Sequence, residues 1–187
     1  MCVTSKTGAP IEDIEVSTTF RPRIFISEVA ARTNPNERYI ELYNTTLHTM
    51  TLFEMRIELY KDGSTTPVVV AIPEGLVIPQ AVPGTMGTCQ FTMVRNAAAF
   101  TAAFPGDTFD VELPGLDFDG TDAVALYFGD LLLDVWGVIG VDGAGEPWAY
   151  EGMSVEREVL VTTPQTEMSA SEWIIGATFT PDIHEHP

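Results

Sequence analysis

Short β-rich runs separated by turn residues recur along most of this chain, and they constrain the fold more than any other feature. Residues 24–30 and 38–44 are two such runs, rich in aliphatic side chains and tyrosine. The polar stretch 32–36 between them has the composition of a turn. The chain is therefore expected to leave one strand there and re-enter another.

A tight β-hairpin is the clearest local prediction. The runs 123–128 and 131–138 are separated only by Gly129-Asp130, and the alternating apolar residues Val124 and Leu126 are expected to fill a sandwich core. The spacing of the other runs also predicts an all-β domain. The remaining strand candidates are residues 56–61, 68–72, 90–95, 158–162 and 173–177.

The two ends of the chain differ from this pattern. Residues 1–22 are polar and lack strand alternation until Ile14-Glu15-Val16, which predicts an extended N-terminal arm. The globular domain is expected to span residues 23–180, followed by a C-terminal tail at 181–187. One helix is predicted inside the domain, where Asn96 caps an alanine-rich run and Pro105-Gly106 ends it.

The charge of the chain limits its partners. The formal net charge is −18, and residues 96–187 carry all but a small part of it, with Arg157 as their one basic residue. Nucleic-acid binding usually requires several Lys or Arg contacts to phosphates, so no direct nucleic-acid recognition is expected. A cation or a basic protein is a suitable partner for such a negatively charged chain, although the carboxylates can equally serve to solvate the strand surfaces.

The sequence gives little information on compartment. The polar N-terminal segment is not a signal peptide, and the longest apolar stretch, at 131–141, is interrupted by Asp134. No membrane span is therefore expected.

Several segments, taken in order, resemble the lamin-tail domain family, and in particular its bacterial members. They are IFISEVAARTNPNERYIELYN at 24–44, FEMRIELYKDGS at 53–64, DGTDAVALYFGDLLLDVWGVIG at 119–140 and SEW at 171–173. The middle of the chain, 65–112, follows the family only in its pattern. The resemblance implies an immunoglobulin-like β-sandwich without catalytic residues, used for attachment or interaction in nuclear lamins and in microbial surface and secreted proteins, sometimes beside nucleases.

One loop could hold a metal ion. Asp117, Asp119 and Asp122 offer acidic oxygens around Gly120, and Ca²⁺ takes six to eight oxygen ligands. The loop lacks the terminal bidentate glutamate of an EF-hand. The structural alternative is a turn stabilised by the aspartates, in which Gly120 adopts a positive φ before the strand at 123. A calcium site on these three residues remains a hypothesis.

Catalytic residues are not predicted. Glu28 and Glu41 could form an acid–base pair on neighbouring strands, but Glu28 is expected instead to pair with Arg38 or Arg56 across the sheet. The chain contains no P-loop, no HExxH motif and no G-x-S-x-G motif. No enzyme activity and no cofactor other than calcium are expected.

The function predicted from these features is structural. The domain is expected to be a module of a larger assembly, such as a virion or another decorated particle, whose arm contacts a neighbouring copy or a scaffold protein. Ile14 and Val16 in the arm, and Trp148 after Gly145-Glu146-Pro147, are the predicted partner contacts. An adhesion or accessory domain of a secreted or cell-surface protein, and a calcium-dependent binding module, are the alternatives.

Overall fold

The computed structural model describes residues 21–80, 89–158 and 160–176, and it is mostly β. Twelve strands and one α-helix follow in chain order. They are β1 (Ile24–Ala30), β2 (Tyr39–Asn44), β3 (Met50–Thr51), β4 (Met55–Tyr60), β5 (Val68–Ala71), β6 (Val77–Ile78), β7 (Gln90–Val94), α1 (Ala97–Ala103), β8 (Val111–Glu112), β9 (Ala123–Phe128), β10 (Leu131–Trp136), β11 (Ser154–Arg157) and β12 (Trp173–Ile175). Short 3₁₀ turns occur at Pro35–Glu37, Lys61–Gly63 and Ala170–Glu172.

Two main sheets contain ten of these strands. The six-stranded sheet has the order β12-β11-β1-β2-β7-β8, and the four-stranded sheet has the order β10-β9-β4-β5. Pairing is antiparallel except between β7 and β8. The strands β3 and β6 form a separate two-stranded pair.

One apolar core lies between the two main sheets. Because side chains alternate between the faces of a strand, every second residue of the central strands can enter this core. Both sheets contribute to it, as expected for a β-sandwich. Its fully buried members include Ile26 and Ile40 from the six-stranded sheet and Ile57, Leu126 and Trp136 from the four-stranded sheet.

The helix α1 covers part of the other face of the six-stranded sheet. Asn96 caps it as predicted, since its side chain accepts a hydrogen bond from the Ala99 N–H at 2.9 Å. Phe100 is fully buried and makes an edge-to-face contact with Tyr39, with ring centroids 5.6 Å apart.

Most predicted strands are confirmed, with their ends displaced by a few residues. The hairpin of β9 and β10 has its turn at Gly129-Asp130, as expected. The strand predicted at 158–162 is wrong, because the chain pairs with β1 earlier, through Ser154–Arg157. Leu160 is 93% exposed, so this apolar side chain does not contribute to the core.

The predicted arm and tail fall largely outside the part of the chain that the structure describes. The residues 1–20 and 177–187 lie outside the described residues. Of the arm, Arg21 is described, and its guanidinium donates to the Leu132 carbonyl of β10 at 3.3 Å. No helix in the described segments has the length and apolar character needed to cross a membrane.

Candidate functional site

The carboxylate of Asp134 lies at a fully buried junction between the two main sheets. A bulge in β10 between Leu132 and Asp134 and a bulge in β1 between Ile26 and Glu28 interrupt the regular ladders. The Ile26 N–H donates to Asp134 Oδ2 at 2.8 Å, which links the two sheets. The Gln165 N–H donates to Oδ1 at 2.7 Å.

Arg157 of β11 completes this buried junction. Its Nη2 donates to Asp134 Oδ1 at 2.6 Å, and its Nη1 donates to Glu172 Oε2 at 2.8 Å. The guanidinium also lies over the Trp173 ring, 4.1 Å from its centroid. Burial raises the pKa of Asp134, and Arg157 and the backbone N–H donors oppose that rise. These bonds indicate that Asp134 and Arg157 hold the two sheets together.

The first predicted calcium ligand, Asp117, belongs to a cluster of ion pairs. Lys61 donates to its Oδ2 at 3.1 Å, Arg38 lies 3.5 Å from its Oδ1, and Arg95 also pairs with Oδ1. The hydrogen bond from Lys61, together with Arg95, lowers the pKa of Asp117. Three cations around one carboxylate would repel a divalent metal ion.

The other two predicted ligands bond within their own loop. Asp119 Oδ1 accepts from the N–H and the hydroxyl of Thr121, at 2.9 and 2.7 Å. Asp122 accepts from the Asp119 N–H at 2.9 Å and from the Asp62 N–H at 3.0 Å. Burial raises the pKa of Asp122. Among the described residues, no three His, Cys, Asp or Glu side chains form a group that could hold a metal ion.

Gly120 lies at a close backbone contact in the same loop. The expected positive φ is wrong, since Gly120 is not among the glycines with that conformation. A Cβ atom at this position would instead lie 2.2 Å from the Glu151 nitrogen and 2.5 Å from the Tyr150 carbonyl carbon. Glycine is needed here because two backbone segments approach closely.

Trp148 is not the exposed contact residue that its glycine- and proline-rich surroundings suggest. Only 4% of it is exposed, and its ring makes an edge-to-face contact with Trp136 in the core, with centroids 6.5 Å apart. Gly143 leaves the space for this ring, because a Cβ there would lie 2.6 Å from two ring carbons. The other predicted partner contacts, Ile14 and Val16, lie outside the described residues.

The glutamates Glu28 and Glu41 lie opposite each other on β1 and β2, as their positions predict. The expected pairing of Glu28 with Arg38 or Arg56 is wrong, since these two arginines bond to other acids and Tyr39 donates to Glu28 Oε1 at 2.7 Å. The Ser27 hydroxyl donates to Glu41 Oε1 at 2.6 Å. Burial and the nearby Glu28 raise the pKa of Tyr39 well above its ordinary value.

A surface suited to a partner is the outer edge of β5, with which no strand of the described ranges pairs. This strand is the last of the four-stranded sheet, and Val68 and Val69 are 48% and 56% exposed. Residues 65–73 carry no charge, and Pro67 and Pro73 bracket the strand. Flanking prolines are a sequence signal of an edge strand that the prediction of a strand at residues 68–72 did not take into account.

Comparison with models of known protein families gave no match, and no curated protein is similar to the chain in sequence. The class of protein is therefore defined by the fold alone: a mostly β domain in which two main sheets share one core.

Proposed function

We propose that this chain is a non-catalytic interaction module of a larger assembly, with an immunoglobulin-like sandwich of the lamin-tail type. The observation that carries the proposal is the edge of β5, where exposed valines in an uncharged segment lie beside backbone that no strand of the described residues pairs with. Such an edge is the template on which another strand can pair.

The use of the buried charged groups also supports a structural role. Asp134, Arg157 and Asp122 direct their charges into bonds that hold the sheets and loops together. A general acid, base or nucleophile must instead point at a space where a substrate can sit. The finer assignment to a lamin-tail sandwich is supported by the sequence segments that carry the resemblance and by the hairpin of β9 and β10.

The charge favours a protein partner over a nucleic acid. With a net charge of −18, the chain would be repelled by phosphate backbones at long range. A strongly acidic surface also keeps a particle-coating protein dispersed. In the proposed role, such as a decorating protein of a virion, the arm at residues 1–22 contacts a neighbouring subunit.

The test is the solution mass of the full chain and of a chain that begins at Arg23, measured by light scattering. The proposal predicts that the full chain forms assemblies larger than those of the shortened chain. The same number of copies per particle in both chains would overturn the role of the arm. Comparison of the unmodified chain with Val69→Lys tests the edge of β5 separately.

A further inference from the structure

The backbone of β5 has a defined free side. In an antiparallel ladder, the N–H and C=O groups of successive residues point alternately toward the two flanking strands. The Ile72 N–H donates to the Met55 carbonyl of β4 at 3.1 Å. The N–H and C=O groups of Val70 and Val68, two and four residues before Ile72, therefore also face β4. Val69 and Ala71 therefore direct their N–H and C=O groups away from β4. In the described part of the chain, no strand pairs with that side.

The side chains of β5 leave this edge accessible. Val69 and Ala71 lie opposite Glu58 and Arg56 of β4, on the outer face of the sheet, and both are exposed. Val70 points the other way, toward the core, and is buried. Natural edge strands are usually protected by a charge, a bulge or a covering segment. In the described residues, this edge has no charged side chain and no bulge in its pairing with β4, and its short length and the flanking Pro67 and Pro73 limit pairing.

We propose that β5 pairs antiparallel with β5 of a second copy of this chain, around a twofold axis that passes beside Val70. In this register, Val69 of each copy lies opposite Ala71 of the other. Each of these residues presents one N–H and one C=O, so the two copies form four backbone hydrogen bonds. The two four-stranded sheets then join into one continuous sheet.

Self-complementarity is the reason for choosing a second copy as the occupant. A twofold interface requires one patch to match itself. The outward N–H and C=O groups of Val69 and Ala71 follow the order donor, acceptor, donor, acceptor along the strand. In an antiparallel second copy this order is reversed, so each donor meets an acceptor. The larger Val69 meets the smaller Ala71 on the outer face. Pro67 and Pro73 would lie opposite each other and have no N–H, so they set the limits of the pairing.

The net charge of the two copies and the length of the paired segment determine the strength of the proposed dimer. Two copies with a net charge of −18 each repel one another, and the uncharged segment 65–73 is a place where they can approach with little local repulsion. The paired segment is short, so the interface belongs to the weak, concentration-dependent class. This inference rests on the proposed function and deepens it by naming the partner and the register.

Amide hydrogen exchange, followed by NMR, tests the register. As the protein concentration rises from about 20 µM to about 1 mM, exchange of the Val69 and Ala71 amides should slow severalfold. The amides of Val68 and Val70 already donate to β4 and should not change. If Val69 and Ala71 exchange at one rate throughout this range, or if slowing occurs only elsewhere, the inference is wrong.

Sedimentation equilibrium of matched variants tests the edge. Val69→Lys should weaken dimerisation at least about tenfold, because each dimer then contains two lysines at the new strand pair. Leu47→Lys is the control: it makes the same change of charge at an apolar residue that is 63% exposed in a turn. It should dimerise like the unmodified chain. Equal weakening in both variants, or in neither, would contradict the inference.

A second variant removes the donor alone. Val69→Pro deletes an N–H that faces away from β4, so the bonds between β4 and β5 remain while two of the four bonds across the axis are lost. Thermal unfolding at low concentration checks that each variant is folded. Full dimerisation of a folded Val69→Pro chain would overturn the proposed pairing.

Failure of this inference and failure of the proposed function give different results. The dimer through β5 should persist in the chain that begins at Arg23, whereas assembly through the arm should persist in Val69→Lys. Loss of association in the shortened chain alone would support the arm and overturn pairing through β5. Loss in Val69→Lys alone would support the pairing and overturn the role of the arm.

Discussion

Asp134 of β10 and Arg157 of β11 form a buried ion pair that joins the two main sheets, with Oδ1 and Nη2 2.6 Å apart. Both side chains are almost completely inaccessible to solvent. The carboxylate accepts two further backbone N–H bonds, and the guanidinium pairs with Glu172. Buried charges persist where such bonds compensate for lost hydration. The pair thus fixes how one edge of the four-stranded sheet lies on the six-stranded sheet.

Removing one partner of this pair should be strongly destabilising. Asp134→Ala leaves the Arg157 guanidinium in the interior with only Glu172 as an acidic partner, so the free energy of unfolding should fall by about 3–5 kcal/mol. Urea denaturation followed by tryptophan fluorescence measures this change. Asp130→Ala, in the exposed hairpin turn, is the control and should change stability by less than about 0.5 kcal/mol. A loss below about 1 kcal/mol for Asp134→Ala would show that the pair contributes little.

The ion pairs of Asp117 predict a specific dependence on pH. Because Lys61 and Arg95 lower the pKa of Asp117 in the folded state, its ionised form stabilises the fold above the pKa of the unfolded chain. Asp117→Asn should therefore be less stable at pH 7, by about 1 kcal/mol, since the group is half exposed. The difference should shrink as pH falls below about 4, because the carboxyl protonates there in the unfolded chain and only at lower pH in the folded state. A difference that is constant between pH 7 and pH 3 would contradict this assignment.

The close approach at Gly120 predicts a severe effect of a single methyl group. Gly120→Ala would place Cβ against the backbone of Tyr150 and Glu151, and we expect a loss of at least about 2 kcal/mol. Gly145→Ala is the matched variant: Gly145 has a φ of +82°, but no atom lies within 4 Å of its Cβ position. Its cost should be limited to backbone strain, about 1 kcal/mol. Thermal unfolding of both variants should rank them in this order.

Calcium should not stabilise the protein through the loop at 117–122. The oxygens of Asp119 and Asp122 accept hydrogen bonds from their own loop and from Asp62, and Asp117 faces three cations. The unfolding temperature should be the same in millimolar calcium and in chelator. A rise that Asp119→Asn abolishes would restore the calcium hypothesis.

The local patterns of the sequence predicted the elements whose signals are local. The turn at Gly129-Asp130 and the cap at Asn96 each need only a few adjacent residues, and the structure has both. The segment 158–162 has β-rich composition, but its described residues, 158 and 160–162, form no strand. Arg157, just before it, is held by Asp134 of β10, and this long-range bond lies outside any local pattern. Propensity alone could not choose between the two adjacent segments.

The candidate site was predicted less well because burial depends on distant residues. The glycines and proline before Trp148 suggest an exposed turn, but Gly143 and Gly137 leave room for its ring beside Trp136. The three aspartates are correctly placed in one loop, but the cations around Asp117 come from separate elements. The edge position of β5 depends on the order of strands in the sheet, which local alternation does not specify.

The most direct test of the interaction role is the solution mass of the unmodified full chain at concentrations up to about 1 mM. An interaction module that pairs through β5 predicts a weight-average mass that rises with concentration from 20.4 kDa toward at least twice that value. Val69→Lys should reduce that rise. A mass that stays at 20.4 kDa over the whole range would contradict both self-pairing and self-assembly through the arm.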